Sequence, residues 1–291
     1  MSAVPGDIRG GRRQGELQGR LFHGFLLLSL GVGLVTLGTL IVQVVLNGVR
    51  LVDPVLLTDA PSADPAFAGA GPAILATIYM GLLLIAFTVP IGLGTAIYLE
   101  EYADRNRWYN RALEVNIQNL AAVPSIVYGI LGLAFLVRGL GLGRVLLAGA
   151  MILTLLVLPT VIIAAREAIR AVPGSIRQGA YALGATKWQV VWRQVLPAAT
   201  PGIATGSILA VSRAIGETAP LLLVGALTYV AFNPTLLGDF TALPVQIYQW
   251  TSRSQGEFHE LAAAAIIVLL AILLTLNGFA IWLRNRYGRK W

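Results

Sequence analysis

The sequence contains no cysteine and only two histidines and two lysines among its 291 residues. Without cysteine the chain has no disulfides, no thiolate metal ligands and no thiol nucleophile. Its histidines, His23 and His259, are far apart, so a histidine-based catalytic or metal site is not expected. Neither lysine follows a glycine, which excludes the glycine–lysine phosphate loop of ATP-binding domains. We therefore expect a chain that is not an enzyme and holds no metal or cofactor of its own.

Charged residues are also scarce. They make up 12% of the sequence, about half of their share in a typical soluble domain, whereas 56% of the residues are hydrophobic and the mean hydropathy is +0.75. So much apolar surface cannot be buried by a soluble chain of this length, and the composition predicts an integral membrane protein. The formal charge of +7 does not indicate nucleic-acid binding, because the cations separate apolar runs and form no stripe with aromatics.

Five uncharged stretches are long enough to cross a bilayer. Each exceeds the roughly 20 residues that a spanning helix needs, and they cover residues 21–49, 65–99, 115–137, 145–165 and 261–283. A further span is predicted from about Gly202, after two prolines, to Val230, with Arg213 and Glu217 inside it. The alternative divides this stretch at the two charges, but it leaves only about ten apolar residues before Arg213. The sequence thus predicts an all-α, polytopic protein with six transmembrane helices.

The cations predict that both termini of this multi-pass membrane protein are cytoplasmic. In that orientation 16 of the 21 cations lie inside, four lie outside and Arg213 lies in the membrane, which agrees with the excess of cations on cytoplasmic loops. We divide the chain into a poorly ordered cytoplasmic tail at 1–20, a first transmembrane helix with an irregular external loop at 21–71, a core transmembrane domain at 72–283, and a basic cytoplasmic tail at 284–291.

The segment 166–197, between the fourth and fifth spans, is predicted to form two short helices outside the membrane. Ser175 with Gln178, and Thr186 with Gln189, have the spacing of capping boxes, and Gly184 separates them. Apolar residues repeat on one face of each helix: Ile176, Ala180 and Leu183, then Trp188, Val191, Trp192 and Val195. An exposed apolar stripe favours a partner protein. The helices could instead lie in the membrane interface or pack on the ends of the chain's own spans.

This segment resembles the EAA signature of ABC importer permeases. The residues that carry the resemblance are Gln178-Gly179-Ala180, Gly184 and Gln194-Val195-Leu196-Pro197. The resemblance implies the type I ABC importer permease fold, with 166–197 as coupling helices that enter a cleft of an ATP-binding subunit. The residues expected to dock there are Gln178, Gly179, Ala180, Gly184, Trp188 and Val191. Gln178 stands where the family usually has Glu, Gly179 where it has Ala, and Gln194 where it has Ile.

Further motifs are similar to those of phosphate permeases, and in particular of their PstA-type subunit. In chain order they are Ala122–Gly129, Ala182–Trp188, Arg213–Pro220 and Leu243–Tyr248. The resemblance runs from about Pro72 to the C-terminus. It implies a permease of the plasma (inner) membrane that forms half of the translocation path of an ATP-driven inorganic phosphate importer. The implied partners are a PstC-type sibling permease, two ATP-binding subunits that hold Mg-ATP, and an external phosphate-binding protein.

Arg213 and Glu217 are the two charges inside the predicted fifth span, where charges are seldom retained without a role. At positions i and i+4 of one helix their side chains can meet. They could form a purely structural ion pair. Alternatively, Arg213 attracts an anion with its planar guanidinium, and Glu217 prevents the anion from binding too tightly. The resemblance associates this motif, with Thr218, with the passage of phosphate.

Three other functions remain open, of which one is a membrane sensor that transports nothing. A permease for another oxyanion, such as sulfate, molybdate or phosphonate, is disfavoured only by the stretch Arg213–Pro220. A passive anion channel would have no need of the docking segment 166–197.

Overall fold

The computed structural model of the chain describes residues 9–104, 106–226, 230 and 232–287. Within these residues the regular elements are helical, and one isolated antiparallel bridge pairs Val145 with Asp239. The prediction of an all-α membrane protein is confirmed.

The α-helices of the described residues follow one another along the chain. They are α1 (Arg9–Gly48), α2 (Pro54–Thr58), α3 (Gly71–Ile97), α4 (Trp108–Ala121), α5 (Ser125–Gly132), α6 (Leu146–Arg170), α7 (Gly174–Ala182), α8 (Lys187–Val190), α9 (Leu196–Ile215), α10 (Ala219–Val224), α11 (Leu243–Thr251) and α12 (Gly256–Tyr287). Three π-helical turns extend them: Tyr98–Tyr102 after α3, Leu133–Gly139 after α5, and Val191–Val195, which joins α8 to α9.

Five continuous helices and one bent pair have the length and hydropathy of membrane spans. The continuous spans are Gly19–Leu51, Gly71–Tyr102, Leu146–Arg170, Lys187–Ile215 and Gly256–Arg286. The bent pair joins Trp108–Ala121 to Ser125–Gly139 at an angle of 106°. Pro124, which has no N–H to donate, lies at the bend. With the pair counted as one crossing, the structure has the six spans that the sequence predicts.

Contacts with α6 give the direction of its neighbours. For α3 and the turn that follows it, Gly92 contacts Val161 and Glu100 pairs with Arg166. For the bent pair, Glu114 pairs with Arg166 and Gly132 contacts Ile152. For α9, Gly202 contacts Ala168 and Gly206 contacts Ala164. The residue numbers rise together along α3 and α6, so these helices are parallel. Along the bent pair and along α9 the residue numbers rise while those of the contacting α6 residues fall, so both are antiparallel to α6.

The two outermost spans complete the alternation. α12 is antiparallel to α9, because Arg284 bonds to Thr205 whereas Ser212 bonds to Asn277. The end of α1 lies against the beginning of α12, where Gly48 meets the backbone of Ala263. With the bent pair counted as one span, the six helices alternate in direction, so both ends of the described chain lie at the same end of the helix bundle.

The fifth span differs from its prediction at both ends. It begins at Lys187 rather than Gly202, so both of its prolines lie within it, and it ends at Ile215. Pro197 lies in the first turn of α9, directly after the π-helical turn, where its missing N–H is tolerated, and Pro201 lies inside α9. The rest of the predicted helix, after Ile215, is not continuous with it and contains only the short helix α10. Residues 227–229 of the prediction lie outside the described residues.

Three peripheral segments also differ from the predicted domain boundaries. Helix α1 begins at Arg9, so residues 9–20 are helical rather than irregular, while residues 1–8 lie outside the described part. The external loop contains α2, which begins where the Asp53 side chain accepts the Leu56 N–H at 2.8 Å. Helix α12 continues through residue 287, whereas the rest of the basic tail, 288–291, is not described.

Candidate functional site

Helix α9 ends at Ile215, about halfway through the helix bundle. Gly206 lies against Ala164 of α6. Seven residues further along the antiparallel α9, Arg213 is level with about Val157. That level is eleven residues, or roughly 17 Å, from the start of α6. The mid-depth position predicted for Arg213 is thus supported, but Arg213 lies in the last turn of a helix instead of in a helix interior.

Arg213 and Glu217 do meet, although they do not share a helix. Gly216 follows the last residue of α9, and the Glu217 N–H donates to the Ala214 carbonyl at 3.1 Å. Arg213 Nε lies 3.6 Å from Glu217 Oε1, with 75% of the arginine side chain exposed and 18% of the glutamate side chain. Arg213 has no other ion-pair partner among the residues that the structure describes. Most of its N–H donors are therefore available.

Thr218 follows directly and ends the irregular turn. Its carbonyl accepts the Leu222 N–H at 3.0 Å, and its half-buried side chain makes no capping bond. The three residues proposed from the sequence for the substrate path thus lie together where α9 ends, Arg213 in its last turn and Glu217 and Thr218 in the irregular turn before α10. Irregular backbone at membrane depth is tolerated where protein buries it or where it lines a water-filled cavity.

Short helix α10 is held in the bundle by a close approach to α5. A Cβ atom on Gly129 would lie 2.8 Å from the Cα atom of Pro220, so this position requires glycine. Beyond α10, Gly225 has a φ of +98°, which favours glycine and turns the chain. The motif residues Ala122–Gly129 and Arg213–Pro220, far apart in sequence, are in contact at this point.

The predicted docking segment does not consist of two separate short helices. Thr186 and Gln189 form the predicted capping box, with Thr186 N–H to Gln189 Oε1 at 2.9 Å. The helix that it starts, however, is the beginning of the fifth span. The other predicted capping box is wrong, because α7 begins after Pro173 and Ser175 makes no capping bond.

The predicted apolar stripe is divided between the core and the surface. Val191 is completely buried in a cluster with Ala165 and Ile169, so it is a core residue and its assignment to docking is wrong. Leu183 is 90% exposed and Trp188 is 61% exposed. The exposed turn of Leu183 and Gly184, with a φ of +79° at the glycine, joins α7 to α8.

The other proposed docking residues lie around this turn. Gln178 and Gly179 are exposed on α7, whereas Ala180 is half-buried against the cluster beneath it. Together with Leu183, Gly184 and Trp188 they form what we call the docking surface.

A network of ion pairs connects the docking surface to the membrane spans. It joins the ends of α3, α4, α6 and α7 through the pairs Arg166–Glu100 (2.8 Å), Arg166–Glu114, Arg170–Glu100 (2.8 Å), Arg170–Glu167 (3.0 Å) and Arg177–Glu101 (2.8 Å). Arg177 also donates to the carbonyls of Val172 (2.7 Å) and Ile169 (3.0 Å) at the end of α6. Helix α7 is therefore fixed to both α6 and α3.

Sequence reasoning missed this network, since it treated these arginines only as cytoplasmic cations. Apart from Glu167, the paired carboxylates are more than 50 residues away along the chain. The available signal was the adjacent pair Glu100-Glu101 at the end of an uncharged span.

Replacing Arg166 by Gln is expected to lower the free energy of unfolding by about 3–5 kcal/mol, because the buried arginine that pairs with both Glu100 and Glu114 would be lost. The exposed fractions of the Arg166 and Glu100 side chains are 6% and 3%. Arg170→Gln is the matched control, since Arg170 pairs with the same carboxylate but is 46% exposed, so its loss should cost about 1 kcal/mol or less. Thermal unfolding of the detergent-purified protein measures both; equal effects would contradict the prediction.

Residues 88–289 match the family of binding-protein-dependent transport system inner membrane components. The chain is 31% identical to the probable ABC transporter permease protein YqgI of Bacillus subtilis, over 85% of this chain and 88% of that protein. It is 34% identical to the phosphate transport system permease protein PstA 1 of Mycobacterium tuberculosis, over 73% and 69% of the two chains. Its identity to the probable PstA of Methanocaldococcus jannaschii is 32%, over 76% of each chain.

Solved structures give the same architecture. A chain of the bacterial alginate ABC transporter, solved in complex with an alginate-pentasaccharide-bound periplasmic protein, has a TM-score of 0.66 at 18% identity, over 95% of this chain and 98% of that chain. An inward-facing MetNI methionine ABC transporter has a TM-score of 0.59 at 17% identity, over 75% and 94%. At these identities the likeness concerns the fold alone, and it confirms the permease fold of type I ABC importers.

Proposed function

The chain belongs to the family of binding-protein-dependent transport system inner membrane components, and we propose that it is the PstA-type permease subunit of an ATP-driven importer of inorganic phosphate. As a permease subunit it is not an enzyme, and ATP hydrolysis belongs to a separate subunit. Its PstA relatives are phosphate permeases by name. The observation that carries the proposal is Arg213, largely exposed beside Glu217 at a mid-depth helix break.

The substrate path uses Arg213 as its anion-attracting group. A guanidinium stays charged at any physiological pH and offers a planar pair of donors that matches two phosphate oxygens. Glu217, 3.6 Å away, competes for those donors and weakens the binding, so that the ion can leave. Thr218 adds a hydroxyl at the same break. The sibling permease, of the PstC type, supplies the other wall of the path.

Coupling to ATP uses the docking surface. Two ATP-binding subunits, which hold Mg-ATP, dock on this chain and on its sibling, and the exposed Leu183, Gly184 and Trp188 enter the cleft on one of them. The ion-pair network transmits movement of α7 to α3 and α6. An external phosphate-binding protein delivers the ion to the opposite side of the membrane.

The direct test of the substrate is competition in vesicles that contain the assembled complex and internal ATP. Labelled phosphate uptake should be suppressed by unlabelled phosphate and hardly affected by equal concentrations of sulfate, molybdate or a phosphonate. Suppression by one of those anions as strong as that by phosphate would assign the chain to another oxyanion. Uptake without any ATP-binding subunit would instead show a passive channel.

Orientation is tested by reporter fusions. The excess of cations predicts cytoplasmic termini. Fusions after Arg50, Arg144 and Asp239 should therefore report the outside, and fusions after Arg107 and Gly184 the inside. Gly184 suits this purpose because it lies in an exposed turn between helices. A reversed signal at any of the five positions contradicts the proposed orientation.

A further inference from the structure

A groove of about 990 Å³ lies between α3, the fifth span and α12, away from the break at Arg213. Its walls are mostly aliphatic, with Ile85 and Val89 from α3, Ile208 and Val211 from α9, and Leu276 from α12. Two arginines, Arg193 and Arg284, also line it, and none of the described lining residues is acidic. The groove thus combines a long apolar surface with positive charge.

We propose that this groove binds an anionic glycerophospholipid, whose headgroup phosphate is held by Arg284 and whose acyl chain lies along α3 and α9. The proposal is independent of the transported ion, because it requires only that the chain is in a membrane. Basic pockets between spans on the cytoplasmic side are suited to anionic headgroups.

The Arg284 side chain is held in place by hydrogen bonds that leave N–H groups for an anion. Its Nη1 donates to Thr205 Oγ1 at 2.7 Å, and its Nε and Nη2 both donate to Asn285 Oδ1 at 3.2 Å. A guanidinium has five N–H groups, so one on each terminal nitrogen remains for a phosphate oxygen. No carboxylate pairs with Arg284 or Arg193 among the residues that the structure describes. The half-buried guanidinium is thus held in place while its charge stays unpaired.

The positions of the charges fit the polarity of a lipid. Thr205, the partner of Arg284, is one residue from Gly206, which lies against Ala164 near the charged end of α6. From this level the aliphatic residues extend towards the middle of the bilayer. Arg193 lies twelve residues earlier in the same span, roughly 18 Å further towards the cytoplasm on the proposed orientation, where it adds electrostatic attraction.

A buried hydroxyl also points to an occupant. Ser207 is only 8% exposed, lines the groove, and its Oγ has no hydrogen-bond partner among the described residues. A buried polar atom without a partner is costly. A lipid ester or glycerol oxygen can satisfy it, whereas an acyl chain or an aliphatic side chain cannot.

The groove and the proposed substrate path lie on different faces of α9. Successive residues of an α-helix are about 100° apart, so Val211, which lines the groove, is about 160° from Arg213 around α9. Ala204, Ser207 and Ile208, which also line the groove, are about 120–180° from Arg213 in the same way. A free phosphate in the groove would meet mainly hydrocarbon, which favours the lipid as the source of the phosphate group.

Native mass spectrometry of the full transport complex, released from nanodiscs with equal amounts of phosphatidylglycerol and phosphatidylethanolamine, tests the proposal. We expect phosphatidylglycerol to be retained preferentially, and Arg284→Gln to reduce its retention about tenfold, the loss of one charge-assisted contact. Arg193→Gln should reduce it less. Arg286→Gln is the matched control, since Arg286 is on the same helix but does not line the groove, and it should have no effect. Ala204→Trp, which fills the groove without changing its charge, should also remove the lipid.

Four results would overturn the proposal. Equal retention of the two lipids would show that the groove does not select an anionic headgroup. Equal effects of Arg284→Gln and Arg286→Gln would reduce the interaction to general surface charge. Displacement of the lipid by inorganic phosphate, but not by chloride at the same ionic strength, would make free phosphate the true ligand. A lipid that is bound to the isolated chain but absent from the full complex would show that the sibling permease covers the groove, which also contradicts the proposal.

Discussion

Arg213→Gln is expected to reduce phosphate uptake by roughly ten- to a hundredfold, because the path loses a charge-assisted hydrogen bond of about 1.5–3 kcal/mol. Arg213→Lys should restore uptake only in part, since an ammonium keeps the charge but loses the planar pair of donors. The side chain is 75% exposed, so neither change should prevent assembly. Uptake is measured in vesicles that contain the complete complex, with assembly checked by copurification. Arg138→Gln, at an exposed arginine at the end of the third span, is the control.

The double variant Arg213→Gln, Glu217→Gln distinguishes the two roles considered for the pair. A 3.6 Å contact with a largely exposed arginine stabilises the fold little, so a structural role predicts normal uptake once both charges are removed. A role in the path predicts an assembled complex that does not transport. Full uptake by the double variant would refute the role proposed for Arg213.

Leu183→Asp is expected to detach the ATP-binding subunit while the chain remains folded and inserted. Leu183 is 90% exposed in the docking surface, so an aspartate there costs nothing until the partner covers it. In a desolvated interface an unpaired carboxylate costs several kcal/mol, enough to abolish a micromolar contact. Copurification of the ATP-binding subunit and phosphate-stimulated ATP hydrolysis are the measurements.

Two further substitutions make this result specific. Leu140→Asp places the same change at an exposed leucine between the third and fourth spans and should leave the complex intact. Val191→Asp should instead destabilise the chain itself, because Val191 is fully buried. If the ATP-binding subunit still copurifies with Leu183→Asp and transport persists, the docking surface lies elsewhere.

Hydropathy was sufficient to predict five of the six spans, because an uncharged run of more than 20 residues has few alternatives to crossing the membrane. The fifth failed at both ends for different reasons. The two prolines predict a helix start after Pro201, but the helix of the fifth span continues through Pro201 as far as Ile215. The break at Gly216 has no local signal, since it depends on α10 packing against Gly129 some 90 residues earlier.

The charged residues of the candidate site could be predicted from the sequence, whereas the burial of its apolar residues could not. Arg213 and Glu217 stand out in any apolar stretch, and their contact follows from their spacing. Val191 has the same periodicity as the exposed Trp188, and only the position of α6 decides that the valine is buried. The partners of Arg166 are fixed by tertiary contacts, which a single sequence does not contain.

The unbroken helix from Lys187 to Ile215 has a mechanical consequence. It extends roughly 39 Å from its first residue to Arg213, and Gly202 and Gly206 let it rest closely on α6 near its midpoint. A rod supported at its centre acts as a lever. A tilt of about 6° moves each end by about 2 Å in opposite directions, which is the size of ordinary helix shifts in switching proteins. If the ATP-binding subunit docks at Trp188 as we propose, its movement at the base of this helix would displace Arg213 directly, without a relay of side chains.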